Sequence, residues 1–272
     1  MSKCKLVIFS DIHYLDISVD EKEIHKKRKL TQYAEILTDR LIKKINEEEP
    51  DVSISLGDLI QDVANHERDI ENFTYIWNKL KNIKVPFYCV LGNHDLKSMN
   101  SRKEIEQIMG YENATFSVNI KGYHFVILST NIREDNGEKD GGIHKAQCIA
   151  EEEINWLKND LAQNSLPCII FTHFGLAEDR QIGNYWFEKN PEKGLISNRN
   201  EVKEIIKQDS NVIAIFSGHQ HWTKQIVEDG KSYYLIGSLV ENINMDGVPD
   251  GVYFEVELEN RNIQISERHI KL

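Results

Sequence analysis

Five short polar clusters hold the residue types that bind metals and move phosphoryl groups. They are Asp11-Ile12-His13, Gly57-Asp58 with Asp62 four residues on, Gly92-Asn93-His94-Asp95, His173, and Gly218-His219-Gln220-His221. Imidazole and carboxylate donors suit Zn, Mn, Fe or Co, and no cysteine stands where it could add soft sulfur. Asp11 and His13 are two residues apart, as are His219 and His221. On extended backbone such residues share a side, so both members of each pair would reach one site. Gly57, Gly92 and Gly218 would let the chain turn sharply beside them. Taken singly, D-x-H is more often a surface loop, a lone histidine after a strand is more often hydrogen-bonded in a core, and G-D is a common turn. Five such clusters in order point to a metal site.

The elements that must position these residues are short apolar runs. Runs at 5–9, 52–56, 86–91, 168–171 and 212–216 each end in one of the clusters. Ligands gather at the carboxyl ends of strands in open α/β sheets, so five strands would deliver Asp, Asn and His to one edge. Between the runs lie helical patterns. Leu30, Tyr33, Ala34, Leu37, Leu41 and Ile45 repeat at helical spacing, as do Ile70, Phe73, Trp77 and Leu80. Further helices are expected around Ala150, Ile154, Leu157 and Leu161, and around Val202, Ile205 and Ile206. Residues 114–120 and 123–129 read as a hairpin turned at Lys121-Gly122. Four strand patterns close the chain. This alternation predicts an α/β fold with two packed sheets flanked by helices.

At the quoted motifs the chain resembles the calcineurin-like metallophosphoesterases, over a stretch running from residue 11 to 221. The resemblance implies a four-layer α/β/β/α sandwich of two mixed sheets, as one domain over residues 1–272, and a centre holding two transition-metal ions, Mn, Fe or Zn. It implies that Asp11, His13, Asp58 and His221 hold the first ion, and that Asp58 bridges to the second, shared with Asn93, His173 and His219. His94 corresponds to the family's substrate-side histidine and Asp95 to its partner, which makes these two the catalytic candidates. Asp62 is followed by Val63 rather than by the arginine of the phosphatases. Asp95, where many protein phosphatases carry Glu, leans toward the small-molecule phosphodiesterase branch, which includes class III cyclic nucleotide phosphodiesterases and manganese-dependent nucleoside diphosphate-sugar hydrolases.

The implied chemistry is attack of a metal-bridging hydroxide on phosphorus, with two ions roughly 3.5–4 Å apart clamping the attacking and departing oxygens. His94 would protonate the leaving alkoxide or hold the phosphate, and Asp95 would fix its tautomer. Three segments could wall the substrate: 14–27, 131–144 and 174–197. The third is richest, with Arg180 to pair a second phosphate and Tyr185 or Trp186 to stack on a base. For any one of these residues a lid that packs its aromatics on the sheet edge is the somewhat more common arrangement. The run Lys26-Lys27-Arg28-Lys29 reads as a solvated helix start.

Composition narrows the field. The chain has 272 residues, 40% hydrophobic and 28% charged, which supplies a core and excludes a disordered chain. A net charge of −11 argues against a nucleic-acid partner, including a repair nuclease of the same superfamily. No apolar run suits a signal peptide or a membrane span. Cys4, Cys89, Cys148 and Cys168 form no C-x-x-C pair, so reduced thiols and a cytoplasmic location are expected. Of ten histidines, five lie in the clusters, and His25, His66, His124, His144 and His269 read as surface or packing residues. The expected partner is a small-molecule phosphoester, and strand edges leave a homodimer open. The competing readings are a phosphomonoesterase or protein phosphatase of the same fold, and a scaffold without catalysis, which should have lost ligands.

Overall fold

The computed structural model describes residues 3–16, 28–130 and 147–272. Most of the expected walls at 14–27 and 131–144, with His25 and His144, lie outside them. The first half of the chain builds β1 (Cys4–Phe9), α1 (Ala34–Glu48), β2 (Val52–Ser55), α2 (His66–Leu80), β3 (Phe87–Cys89), α3 (Asn93–Leu96) and α4 (Arg102–Met109). The second half continues with β4 (Phe116–Ile120), β5 (Tyr123–Ile127), α5 (Glu151–Gln163), β6 (Cys168–Thr172), α6 (Arg199–Gln208) and β7 (Val212–Ser217). The C-terminal strands are β8 (Lys224–Glu228), β9 (Lys231–Leu235), β10 (Val252–Glu259) and β11 (Asn262–His269).

Two mixed sheets result. One has the order β11-β10-β1-β2-β3 and the other β4-β5-β6-β7-β9-β8. In the first, β1, β2 and β3 run parallel. In the second, β5, β6, β7 and β9 do. Parallel strands buried on both faces read as unbroken apolar runs, and the side chains of β1 divide by parity. Leu6 and Ile8 enter the core between the sheets with Phe125, Phe171, Phe216 and Phe254. Val7 and Phe9 point outward to Leu37, Leu41 and Ile45 of α1 and to Phe73, Trp77 and Leu80 of α2. On the far side, Ile170 and Ile215 meet Leu157 and Leu161 of α5 and Val202 and Ile206 of α6. These three apolar layers are what the expected four-layer α/β/β/α sandwich requires.

The helix pattern that begins at Leu30 starts later in the structure. Thr31–Tyr33 form a 3-10 turn and α1 opens at Ala34. Asn65 caps α2 by accepting from the backbone N–H of Arg68 at 3.1 Å. No disulfide joins the four cysteines. Among the described residues no helix is long and apolar enough to cross a membrane.

Candidate metal centre

The loops after β1, β2, β3, β6 and β7 meet at the carboxyl edge of both sheets. Backbone hydrogen bonds stitch them together. The N–H of Asp11 donates to Gly57 O at 3.0 Å, that of His13 to Asp58 O at 3.0 Å, and that of Gly218 to His173 O at 2.9 Å. The expected extended geometry of the D-x-H and H-x-H pairs is corrected here. Asp11, His13, Asp58, His219 and His221 all adopt left-handed backbone, with φ of 56°, 47°, 51°, 62° and 51°. For residues with a Cβ this conformation costs about 1–2 kcal/mol each, and such strain collects where a fold must aim side chains at one point. Both members of each pair still reach the cluster, through tight turns instead of a pleat.

The glycines also act differently from expectation. Only Gly57 has a positive φ, +97°, while Gly92 and Gly218 are required by close approach. A Cβ on Gly92 would sit 2.2 Å from Oδ1 of Asp58, and one on Gly218 2.0 Å from Oγ of Ser10.

Asp11, His13, Asp58, Asn93, His173, His219 and His221 are all buried and converge. Among the described residues, three groups could each hold a metal ion: Asp11, His13 and His221; His13, Asp58 and His94; and Asp58, His173 and His219, with donor atoms within 4.8 Å of one another in each. Nε2 of His13 lies 3.0 Å from Nε2 of His221, which lies 3.1 Å from Oδ1 of Asp11. On the other side, Nε2 of His173 is 3.3 Å from Oδ2 of Asp58 and 3.2 Å from Oδ1 of Asn93. Oδ2 of Asp58 is buried without a hydrogen-bond partner, between these sets, and 3.8 Å from Nε2 of His13. A buried carboxylate oxygen without a hydrogen bond is expensive, and two imidazole nitrogens 3.0 Å apart need a proton or cation between them. The donor set thus fits metal ions.

Outer hydrogen bonds set the ring tautomers. Nδ1 of His173 donates to Leu56 O at 2.7 Å, Nδ1 of His221 faces Oε2 of Glu241 at 2.5 Å, and Nε2 of His219 donates to Lys193 O at 3.0 Å. A neutral ring that donates outward keeps its other nitrogen as an acceptor for the cluster, the arrangement typical of metal-bound histidine. Burial disfavours charge on His173 and His221, yet the facing carboxylates of Asp58 and Asp11 outweigh it and raise both to about 9. Burial and the Lys29 ammonium lower His13 to about 3, and burial and His173 hold His219 well below its usual value. Burial opposes charge on Asp11 and Asp58 as well, but the surrounding histidines hold both well below the usual carboxylate range.

His94 sits at the edge of this cluster, with Nε2 3.9 Å from Oδ2 of Asp58. Its expected partner, Asp95, is corrected. Both oxygens of Asp95 are taken by the backbone. Oδ2 accepts from Asp58 N and Gly92 N, each at 2.9 Å, and Oδ1 from Leu59 N at 2.8 Å and Ile60 N at 3.3 Å. The carboxylate on Nδ1 of His94 is that of Asp62. Asp62 also pairs with Lys97 at 3.0 Å. Asp95 therefore shapes the loop that presents Asp58, and Asp62 orients the imidazole.

A cavity of about 430 Å³ opens beside the cluster, and its lining includes Asp58, Asn93, His94, His219, His221 and Trp186. Of the three substrate candidates, only Trp186 lines it. Arg180 is exposed and outside the lining, and Tyr185 is 59% exposed, with Arg28 stacked 4.1 Å over its ring. Both were singled out for residue type, and the loop turns them outward. Phe187 stands beside Trp186 in the wall.

Other residues of the site escape a reading of the sequence. Glu241 is fully buried, accepts from Trp186 Nε1 at 2.8 Å and holds His221. Lys29 is also buried at the cavity, where a solvated helix start was expected. Among the other histidines, His66 pairs with Glu104 and His124 with Asp160, away from the site, and His269 is exposed.

Comparison with known proteins agrees with this geometry. A probable glycerophosphodiester phosphodiesterase, GpdQ, of Arcobacter nitrofigilis is 27% identical over 188 residues, or 65% of this chain and 61% of that protein. The chain thus matches less than two thirds of that relative's length. A dimetal phosphatase from Danio rerio superposes with a TM-score of 0.73 at 16% identity, over 98% of this chain and 97% of that one. Purple acid phosphatase PPD1 from yellow lupin (Lupinus luteus) seeds gives 0.65 at 15% identity, over 98% of this chain and 52% of that one. Such identities speak for the fold alone. Residues 4–223 match the family model of calcineurin-like phosphoesterase, and with groups that could hold metal ions gathered at the shared edge of its two sheets, this chain belongs to that family.

Proposed function

We propose that the protein is a metal-dependent phosphodiesterase acting on a small organic or nucleotide-like phosphodiester or diphosphate. The observation that carries this reading is the buried Oδ2 of Asp58, which makes no hydrogen bond and lies between two sets of converging His, Asp and Asn donors. Asp11, His13, Asp58 and His221 would hold one ion, and Asp58, Asn93, His173 and His219 a second. Mn, Fe and Zn all suit such donors. When bound, such ions supply Lewis-acid charge and acidify a bound water.

The chain's own residues supply the rest. Asp62 fixes Nδ1 of His94, so Nε2 faces the cavity edge, and in the protonated ring it would donate to a phosphoryl oxygen or to the leaving oxygen. Trp186 and Phe187 offer an apolar wall to the organic part of the substrate. Asp95 keeps Asp58 aimed by holding the backbone of residues 58–60. The choice of a diester over a monoester draws on the glycerophosphodiester relative. The reading treats residues 1–272 as one domain, because both sheets furnish the site, and places it in the cytoplasm with its thiols reduced.

The test is a substrate screen with Mn-, Fe- and Zn-loaded protein, using cyclic nucleotides, nucleoside diphosphate esters and glycerophosphodiesters. Bis(p-nitrophenyl) phosphate should be hydrolysed in preference to p-nitrophenyl phosphate. The reverse preference makes the protein a phosphomonoesterase, and no hydrolysis with any metal removes the enzymatic reading.

A further inference from the structure

Lys29 is 9% exposed and lines the same cavity as Asp58, His219 and His221. Its ammonium lies 2.9 Å from Nε2 of His94 and 3.4 Å from Oε1 of Gln61. It also sits 5.7 Å from the ring centroid of Trp186. Among the described residues no carboxylate forms an ion pair with it. Asp58, Glu241, Asp11 and Asp62 act on it only through space.

Its neighbours are treated differently. Arg28 pairs with Asp246 at 2.9 Å and Lys97 with Asp62 at 3.0 Å. A buried ammonium without a countercharge is costly to a fold. Two of its three N–H donors have acceptors here, an imidazole nitrogen and an amide oxygen, and both are uncharged when His94 is neutral. Among the described residues the third donor has no acceptor, and the charge has no carboxylate in direct contact, only the more distant Asp58, Glu241, Asp11 and Asp62. A phosphoryl anion would supply both, and lysine is a common point-charge partner for phosphate.

We propose that Lys29 is a substrate-binding residue, whose ammonium takes a non-bridging oxygen of the substrate's phosphoryl group beside Nε2 of His94. The inference rests on the phosphoesterase reading of the same site and adds to it. It gives the cavity a cationic contact supplied by the chain itself. Lys29 also touches the substrate-side histidine and approaches the Trp186 wall. One residue would thus join the phosphate end of the site to the end that receives the organic group.

The experiment uses the metal-loaded protein with inorganic phosphate as the probe, titrated by calorimetry. KM and kcat for bis(p-nitrophenyl) phosphate and bound metal by elemental analysis are measured in parallel. Lys29→Met should weaken phosphate binding and raise KM by about tenfold or more, the loss expected for one charge-assisted hydrogen bond. Metal content should stay at the wild-type level and kcat should change far less than KM. Lys29→Arg, which keeps the charge, should recover part of the phosphate affinity. Unchanged phosphate affinity in Lys29→Met overturns the proposal, and so does loss of metal or a fall in kcat alone. If Lys29→Met does not fold, Lys29→Gln is measured in the same way. Phosphate binding that depends on Lys29 in a protein that cleaves no ester supports the assignment while removing the phosphodiesterase reading.

Discussion

Asp62, four residues beyond Asp58, accepts a hydrogen bond from Nδ1 of His94, while Asp95, the neighbour of His94 in sequence, never meets that ring. The two carboxylates should therefore fail in different ways. Asp62→Asn keeps the shape but removes the charge that orients the imidazole, so kcat should drop by roughly ten- to a hundredfold with metal content unchanged. Asp95→Asn turns an amide NH₂ toward backbone N–H groups, and each one left without an acceptor costs roughly 1–3 kcal/mol. Its signature is a lower melting temperature. Elemental analysis, steady-state kinetics and thermal melts on both variants decide the matter. A fall in kcat for Asp95→Asn at unchanged melting temperature would restore Asp95 as the partner of His94.

Asp58 belongs to two of the three donor groups, and its Oδ2 has no other hydrogen-bond partner. Asp58→Asn replaces a charged donor with a neutral one at the point both sets share. Bound metal and activity should fall together, and added metal should restore neither at concentrations that saturate the wild type. Metal content equal to that of the wild type in Asp58→Asn would falsify the shared-ligand assignment.

The strands and helices were legible because their burial is regular. β1 and β6 bury both faces and read as unbroken apolar runs, and α1 and α2 bury one face each at helical spacing. The metal-type residues were legible because each closes such a run. What stayed hidden depends on the path of the backbone in loops. Lys29 lies in a basic run whose composition suits solvent, and only the fold turns it inward. Asp62 and Asp95 have the same chemistry, and the choice between them follows from how the loop after β2 crosses α3. Left-handed backbone at Asp11 and His221 is not marked by the usual glycine, because aspartate and histidine, which tolerate it better than most residues, adopt it here.

Glu241 joins the wall of the cavity to the cluster, with Oε1 accepting from Trp186 and Oε2 facing Nδ1 of His221. Removing the carboxylate should therefore act on both. Glu241→Ala should lower metal affinity by about ten- to a hundredfold, the usual effect of losing a carboxylate behind a ligating histidine. It should also raise KM, because Trp186 loses its anchor. Trp186→Phe removes the indole N–H and leaves His221 its partner, so it should raise KM at normal metal affinity. Equal metal affinity in Glu241→Ala and wild type, measured by competition with a chelating dye, would separate Glu241 from the metal centre.

Stability of the metal-free protein should depend on pH through His173 and His221. Both are raised to about 9 in the folded state, from an ordinary value of 6.5. A group raised on folding contributes stability that is fully present below its unfolded value and is lost as pH rises through the folded one. The loss should therefore run from about pH 6.5 to about 9. His13 and His219 are lowered, so their dependence lies below 6.5 and adds nothing in this window. Asp95 is raised to about 7 by burial and by Asp58, and its share is gone by about pH 7. Lys29, lowered by burial, works in the opposite sense as pH approaches its unfolded value of 10.5. In the metal-loaded protein the ions take the place of the two protons, so the share of these two pairs should vanish, leaving that of His269, where burial opposes charge but Asp250 and Glu267 outweigh it and raise the ring, away from the centre. Thermal melts of chelator-treated and metal-loaded protein at pH 6.5, 8 and 9 read the difference directly. Parallel falls in both forms would show that the dependence arises outside the His173–Asp58 and His221–Asp11 pairs.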